Sequence, residues 1–192
     1  VQPDYFLTYE DKTAGFSIGH PDDWILFDVP DTDAFATFAD QDDWTTNVVV
    51  FFYEGDTEKG NYGESRTNNQ ILEQNQYYWS EYCEDSTFEV DDRICSNFKV
   101  IDSMVLYTND NRKVYYNKVS YTLEFDDPNY PDQYPMIATS GLIYGPNGSW
   151  EVGSESDDFA FANHSDEVMS MIKSFSLVAT PTPTPSSEDR KS

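Results

Sequence analysis

Hydrophobic and polar residues alternate along the first third of the chain in short runs that are typical of β-strands. Candidate strands cover positions 5–9, 15–18, 24–27 and 34–38, and the first two would pair across a turn at 10–14. A further run at 47–53 is apolar at consecutive positions, as in a central strand that is covered on both faces. This part of the chain is therefore predicted to be β-structure that opens with a hairpin.

The pattern changes near Asn68 to the spacing of an amphipathic helix, which is predicted to end near Cys83. Glutamine and glutamate fill the polar side of this helix. The residues predicted to pack inward are Ile71, Leu72, Tyr78, Trp79 and Tyr82.

Longer strands are predicted at 98–108, 113–125 and 135–144, followed by a short one at 149–152. A final helix is predicted with Ser165 as its N-cap. Its apolar stripe is Val168, Met171, Ile172 and Phe175. Meandering strands with few crossovers predict an α+β fold, in which helices flank a central antiparallel sheet.

Composition divides the chain into two parts. Residues 1–178 are predicted to form one domain, and 179–192 a Thr/Pro-rich linker with a disordered polar tail. Alternating Thr-Pro can form neither a helix nor a strand ladder, because proline lacks the backbone N–H.

The charge balance is strongly acidic. The 192 residues include 36 Asp and Glu against 11 Lys and Arg, a formal net charge of −25. Nucleic acid and anionic lipid surfaces repel such a chain, so neither is an expected partner. Carboxylates spread over a surface also keep a protein soluble without binding anything. The longest apolar run, at 48–53, has the length of a strand, so no membrane insertion within this chain is expected.

The two cysteines, Cys83 and Cys95, enclose a short polar stretch. A disulfide is the preferred interpretation. Two thiols without a nearby histidine make a poor zinc site, and redox-active pairs are more closely spaced. Two glycosylation sequons, at Asn147 and Asn163, agree with an exterior location. The start at Val1, without methionine, fits either a mature secreted protein whose leader was removed or a shortened chain.

The order of landmarks in the chain resembles the PsbP family, named for an extrinsic subunit of photosystem II. The landmarks are Gly-Phe-Ser-Ile-Gly-His-Pro-Asp-Asp-Trp at 15–24, a helix containing Trp79, a β-hairpin meander, Trp150 on a late strand, and Met-Ile-Lys-Ser-Phe at 171–175. The resemblance covers roughly residues 5–178. The stretch from Cys83 to Phe98, with the Thr/Pro-rich segment, resembles a subgroup of PsbP-like domains seen in archaeal secreted and cell-surface proteins.

The resemblance implies an antiparallel sheet sandwiched by helices, in a protein located outside the cytosol. It does not imply photosynthesis. Plant members help to retain calcium and chloride near a manganese cluster, but they dock through basic segments, which this acidic chain lacks. The family is largely non-enzymatic, so no catalytic residue is carried over. A related fold binds a small GTPase in nuclear transport, a partner that a secreted protein would not meet.

Histidine is the commonest general base, and the chain offers His20 and His164. His20 is predicted to lie in a Gly-His-Pro turn, and His164 just before the final helix. Neither has a Gly-x-Ser-x-Gly nucleophile motif nearby. Acid pairs suited to a glycosidase arise by chance in so acidic a chain. An extracellular hydrolase is therefore the most distant alternative.

Two aspartate-rich stretches are the candidate metal sites, because hard cations such as Ca²⁺ prefer several oxygen ligands from a loop. Neither has the spacing of an EF-hand, and the alternative is a solvated surface. The candidate ligands are Asp28, Asp31, Asp33, Asp40 and Asp42 in the first stretch, and Asp126, Asp127 and Asp132 in the second.

The sequence thus predicts a non-catalytic, secreted or cell-surface PsbP-like domain that acts in protein binding or assembly at the cell envelope. Its expected partner is an envelope or surface protein, or another copy of itself. The alternative is an extracellular module that binds Ca²⁺ or another cation. No catalytic residue and no other cofactor are predicted.

Overall fold

The computed structural model describes residues 5–27, 33–42, 46–59, 63–84, 93–125 and 133–179. The helices are α1 (Asn68–Glu84) and α2 (Asp158–Ser174). The strands are β1 (Phe6–Asp11), β2 (Phe16–Pro21), β3 (Trp24–Leu26), β4 (Ala36–Asp40), β5 (Asn47–Glu54), β6 (Arg93–Tyr107), β7 (Lys113–Phe125), β8 (Gln133–Tyr144), β9 (Gly148–Asp157) and β10 (Ser176–Leu177). Among these residues, seven strands form an antiparallel main sheet in the order β3-β4-β5-β9-β8-β7-β6, and β1-β2-β10 form a small sheet.

The two helices lie on opposite faces of the main sheet. On β7, Tyr115 packs with Ile71 and Leu72 of α1. Its neighbours Val114 and Tyr116 belong to the core that contains α2. Successive side chains of a strand point to opposite faces, so the sheet is enclosed between α1 and α2. The predicted α+β fold, with helices flanking an antiparallel sheet and an N-terminal hairpin formed by β1 and β2, is confirmed.

The α2 side holds the larger core, which also includes the small sheet. The ring of Phe16 on β2 lies 5.0 Å from that of Trp150 and 5.8 Å from that of Phe175. The Ser174 hydroxyl accepts a hydrogen bond of 2.8 Å from the backbone N–H of Gly19. The opening segment, the late tryptophan and the closing Ser-Phe therefore meet in one place. These segments are far apart in the sequence but pack together in one aromatic core.

On the other face, α1 covers only part of the main sheet, because it packs against β6 and β7 at one end. A disulfide between Cys83 and Cys95 joins the last turn of α1 to β6, and Cys83 packs with Val119 and Tyr121. The central strands β5 and β9 lie beyond the side of α1. This offset between helix and sheet leaves a groove over β5 and β9.

Two strands extend five residues beyond a predicted end. β6 begins at Arg93 rather than at 98, and β9 continues to Asp157 rather than ending at 152. The small and polar residues after Val152 hide the strand pattern. The ladder nevertheless continues, because β9 is paired with β5 on one side and with β8 on the other.

The predicted start of α2 at Ser165 was wrong. The N-cap lies eight residues earlier, at Asp157, whose carboxylate accepts a hydrogen bond of 2.9 Å from the backbone N–H of Ala160. Phe161, which is 4 % exposed, adds a turn to the apolar stripe. The predicted stripe itself is buried, at Val168, Met171, Ile172 and Phe175.

Two further expectations were wrong. His20 lies within β2, opposite Leu7, rather than in a turn. Tyr78 is 60 % exposed rather than packed inward. The inward position on α1 is taken instead by Asn75, which hydrogen-bonds to Asn117 beneath the helix at 2.8 Å.

Within the described ranges, neither helix is long and apolar enough to cross a membrane. The division into a domain at 1–178 and a linker at 179–192 stays a prediction, since 180–192 lie outside the described residues.

Candidate functional site

The predicted calcium ligands are only partly within the described residues. Asp28, Asp31, Asp126, Asp127 and Asp132 lie outside them. Asp33 and Asp42 are exposed, whereas Asp40 on β4 is 9 % exposed and accepts a hydrogen bond of 2.8 Å from the backbone N–H of Asp42. No group of three or more His, Cys, Asp or Glu in the described part of the chain is placed to hold a metal ion. Calcium binding therefore stays a prediction.

The other predicted site residues are the two cysteines and the two sequon asparagines. Cys83 and Cys95 form the disulfide. Asn147 is exposed in the turn between β8 and β9, and Asn163 is exposed on α2. Both sequons are thus accessible from solvent, and their glycosylation stays a prediction.

The histidines contact different elements. The imidazole Nδ1 of His20 lies 2.8 Å from its neighbour's carbonyl, and the ring stacks on Phe38 at 4.9 Å. His164 lies 2.8 Å from the Glu167 carboxylate and 3.5 Å from that of Asp40. His164 therefore links α2 to β4.

A concave surface lies where α1 leaves β5 and β9 uncovered, and we call it the sheet groove. Its volume is about 920 Å³. Its floor is formed by alternate residues of β5 and β9, and one wall by the side of α1. It is defined by Asn47, Val49, Phe51, Tyr53, Glu54, Gly55, Asp56, Arg66, Ile71, Gln74, Asn75, Tyr78, Trp79, Leu142, Tyr144, Glu151, Gly153, Ser154 and Glu155.

Glu151 is held in the floor of the groove by two hydroxyl groups. One carboxylate oxygen accepts a hydrogen bond of 2.7 Å from the Tyr53 hydroxyl, and the other accepts one of 2.5 Å from Ser140. Partial burial and the nearby charge of Glu151 raise the pKa of Tyr53, so that its hydroxyl keeps the proton that it donates. The Glu151 carboxylate is thus fixed in position at the centre of the sheet.

Through Ser140, Glu151 is connected to further polar side chains beneath α1. Asn75 lies 3.4 Å from the Ser140 hydroxyl, and the Asn117 amide donates a hydrogen bond of 2.8 Å to Asn75. Gln76 in turn donates one of 2.9 Å to Asn117. These polar side chains connect the helix to the groove floor, and a connected polar network of this kind holds its members in one arrangement.

Gly153 leaves the middle of the floor open. It pairs with Val49 on β5 and Ser140 on β8, and it lies between Glu151 and Glu155 on the same face of β9. A glycine inside a strand often marks a place where another group approaches the backbone closely. The Cα atoms of Glu151 and Glu155 are about 13 Å apart along the strand, at roughly 3.3 Å per residue.

Arg66 closes one end of the groove. Its guanidinium donates a 2.9 Å hydrogen bond to the Tyr144 hydroxyl and lies 3.6 Å from the Asp56 carboxylate. It also bonds to Gln74 of α1 and to the carbonyl of Thr57. Its side chain is only 14 % exposed. The guanidinium therefore serves the structure and is not free to receive an anion.

The sequence did not single out Glu151, Gly153 or Glu155. Glu151 is one of 36 acidic residues, and its strand was predicted to end before Gly153. The available signal was the alternation of Glu151, Gly153 and Glu155, which becomes visible only when β9 is extended to its full length.

Structural comparison identifies proteins of similar fold. The cyanobacterial PsbP protein CyanoP from Synechocystis has a TM-score of 0.58 and 14 % identity, covering 92 % of this chain and 95 % of that chain. The Ran-binding protein Mog1p of Saccharomyces cerevisiae has a TM-score of 0.53 and 12 % identity, covering 94 % and 98 %. A Bacteroides thetaiotaomicron protein has a TM-score of 0.52 and 15 % identity, covering 88 % of this chain and 47 % of its own.

No family model and no curated protein sequence matches the chain. At these identities the structural likenesses establish the fold, which agrees with the family resemblance in the sequence. The placement in an archaeal subgroup stays a prediction. The chain is a PsbP-like domain in its fold.

Proposed function

We propose that this protein is a non-catalytic domain that binds other proteins outside the cytosol, at the cell envelope or cell surface. The observation that carries the proposal is the sheet groove, a partly apolar surface of the main sheet beside α1. A compact domain normally covers such a surface. The disulfide supports an oxidising compartment, where such bonds persist.

The lining of the groove supports binding rather than catalysis. Among its described residues there is no histidine or cysteine to act as base or nucleophile. Mog1p, a protein of similar fold, is described as Ran-binding, which agrees with a binding role for this architecture.

The proposal is tested by filling the groove and asking which envelope proteins are lost. Gly153→Leu places a side chain on the floor, where an added Cβ meets the backbone carbonyl of Thr139 at 3.3 Å, so that this carbonyl has to move by a few tenths of an ångström. Ala162→Leu adds a side chain at an exposed position of α2 and is the matched control. Both variants are first checked for unchanged thermal unfolding.

The immobilised full chain and both variants are then cross-linked in native envelope extracts, and the captured proteins are identified by mass spectrometry. We expect the unsubstituted chain and Ala162→Leu to retain the same proteins, and Gly153→Leu to lose them. Capture of the same set by all three proteins, or of none, would overturn the proposal.

A further inference from the structure

The partner's chemistry follows from the charges and shape of the sheet groove, given the proposed binding role. We infer that the groove takes an extended segment of a partner protein that carries a Lys or Arg side chain. The aliphatic stem of that side chain lies against Val49 and Phe51, and its cationic head lies between Glu151 and Glu155.

The charge of the groove selects a cation. Its described lining holds Glu54, Asp56, Glu151 and Glu155 against the single basic side chain of Arg66. Asp56 is already compensated, because it lies 3.6 Å from the Arg66 guanidinium and accepts a 2.6 Å hydrogen bond from Ser149. Within the described part of the chain, no Lys or Arg lies within ion-pair distance of the three glutamates.

The position of Glu151 distinguishes it from an ordinary surface carboxylate. It lies on a central strand, where it is half-buried and held by Tyr53 and Ser140. Each carboxylate oxygen has two acceptor sites, so both can accept a further N–H donor. A charge that is already fixed does not have to be ordered when the ligand binds, which favours affinity.

The shape of the groove fits an extended segment whose basic side chain has an apolar stem. The floor strand from Asn47 to Tyr53 is about 20 Å long at roughly 3.3 Å per residue, which suits a peptide of about six residues. Phe51 and Tyr53 lie in the floor in a stacked arrangement with ring centroids 6.5 Å apart, and Tyr78 is exposed on the wall formed by α1. Lys and Arg place their methylene stems along such apolar surfaces and keep the charged head near carboxylates.

Gly153 lets the segment reach the floor. An added Cβ there would occupy the space between the two glutamates, 3.8 Å from the Glu151 carboxylate oxygen. Because Gly153 has no side chain, a guanidinium or ammonium group can approach the Glu151 carboxylate and the backbone of β9.

The test uses capped eight-residue peptides with a central Arg or Lys flanked by Leu and Tyr, titrated into the full chain by calorimetry. Matched peptides carry citrulline or acetyl-lysine at the centre. We expect the charged peptides to bind and the neutral ones to bind at least about tenfold more weakly, as for the loss of a charged hydrogen bond.

Single variants locate the binding. Glu151→Gln and Glu155→Gln should each weaken the charged peptides by about three- to tenfold, and Gly153→Leu should abolish binding. Glu10→Gln removes the same charge from an exposed position on β1 and should leave affinity unchanged. If Glu10→Gln weakens binding as much as Glu155→Gln, the attraction comes from the overall acidic surface and the inference is wrong.

The outcomes also separate this inference from the proposed function. If no charged peptide binds while Gly153→Leu still loses its envelope partners, the groove binds proteins of another chemistry and only the inference fails. If spermidine binds as tightly as the charged peptides, the groove recognises a free amine rather than a protein segment, and the inference again fails.

Discussion

Among single residues, Gly148 at the start of β9 leaves no room for a side chain. A Cβ built on Gly148 would lie 2.3 Å from the backbone carbonyl of Tyr53 and 2.7 Å from the ring of Phe52. The first contact is with main chain and cannot be relieved by rotating a side chain. The close pairing of β5 and β9, which forms the floor of the sheet groove, therefore depends on this glycine.

We expect Gly148→Ala to lower the free energy of unfolding by about 3 kcal/mol, the upper end of the usual cost of overpacking. Gly153→Ala is the control, because its nearest contact is 3.3 Å and the change should stay within about 1 kcal/mol. Urea unfolding of both variants measures the difference. Equal stability of the two would contradict this account of the strand pairing.

Tyr116 makes the free energy of unfolding depend on pH in the alkaline range. Burial, with a contribution from the Asp102 carboxylate, raises the pKa of Tyr116 to about 12, whereas an unfolded tyrosine has a pKa of about 10. Between pH 10 and 12 the unfolded chain loses this proton while the native protein keeps it. The unfolded state then binds fewer protons, so the free energy of unfolding falls as pH rises.

Urea unfolding at several pH values between 9 and 12 checks this expectation, with Tyr116→Phe as the comparison. The variant lacks the phenol group, so its stability should fall less steeply above pH 10. Other tyrosines contribute the same background to both proteins. Identical slopes would show that Tyr116 titrates as it does in the unfolded chain.

The groove residues show why sequence alone finds a core more readily than a site. Val168, Met171 and Ile172 repeat with the helical period, and burial follows directly from that repeat. The Glu151 carboxylate is held in position by hydrogen bonds from Tyr53 and Ser140, which lie on two other strands. No local pattern contains such a long-range contact.

At the scale of elements, the start of α2 is set by one capping side chain. The Asp157 carboxylate bonds the backbone N–H of Ala160, so Asp157→Ala should cost about 1 kcal/mol of stability. Ser165→Ala lies within the helix and should change stability by less than about 0.5 kcal/mol. Chemical unfolding of both variants, produced without glycosylation, measures the two losses in the free energy of unfolding. A larger loss for Ser165→Ala than for Asp157→Ala would contradict this helix boundary.

The disulfide joins the end of α1 to β6 across a sequence separation of 12 residues. In the chain-entropy model, closing a loop of this size contributes about 3 kcal/mol. Reduction should therefore lower the thermal midpoint and speed hydrogen exchange in the second half of α1. The double variant Cys83→Ala with Cys95→Ala should be insensitive to the reductant. An unchanged midpoint, after mass spectrometry confirms full reduction, would contradict this role.

Element boundaries were predictable where the pattern was strong and the ends were marked. The β7 strand at Lys113–Phe125 and the end of α1 near Cys83 agree with expectation. The start of α2 was missed because Ser165 and Asp157 are both good capping residues in sequence. Only the packing of Phe161 against the sheet core decides between them.

At the scale of the whole molecule, the sandwich was predictable and the groove was not. Meandering strands and two amphipathic segments favour an antiparallel sheet with helices on it, and the family resemblance gave the same architecture. The groove arises because α1 packs at the β6 and β7 end of the main sheet. That lateral offset depends on buried contacts such as Asn75 with Asn117, which the one-dimensional pattern does not encode.

The binding surface proposed for this protein is the uncovered face of the main sheet. The decisive measurement follows the amide chemical shifts of the full chain by NMR during titration with the capped Arg peptide. We expect the perturbed residues to cluster on β5, on β9 around Gly153 and on the exposed side of α1, with α2 and the small sheet unaffected. Perturbations spread over the whole acidic surface, or confined to the outer edge of β6, would contradict the claim.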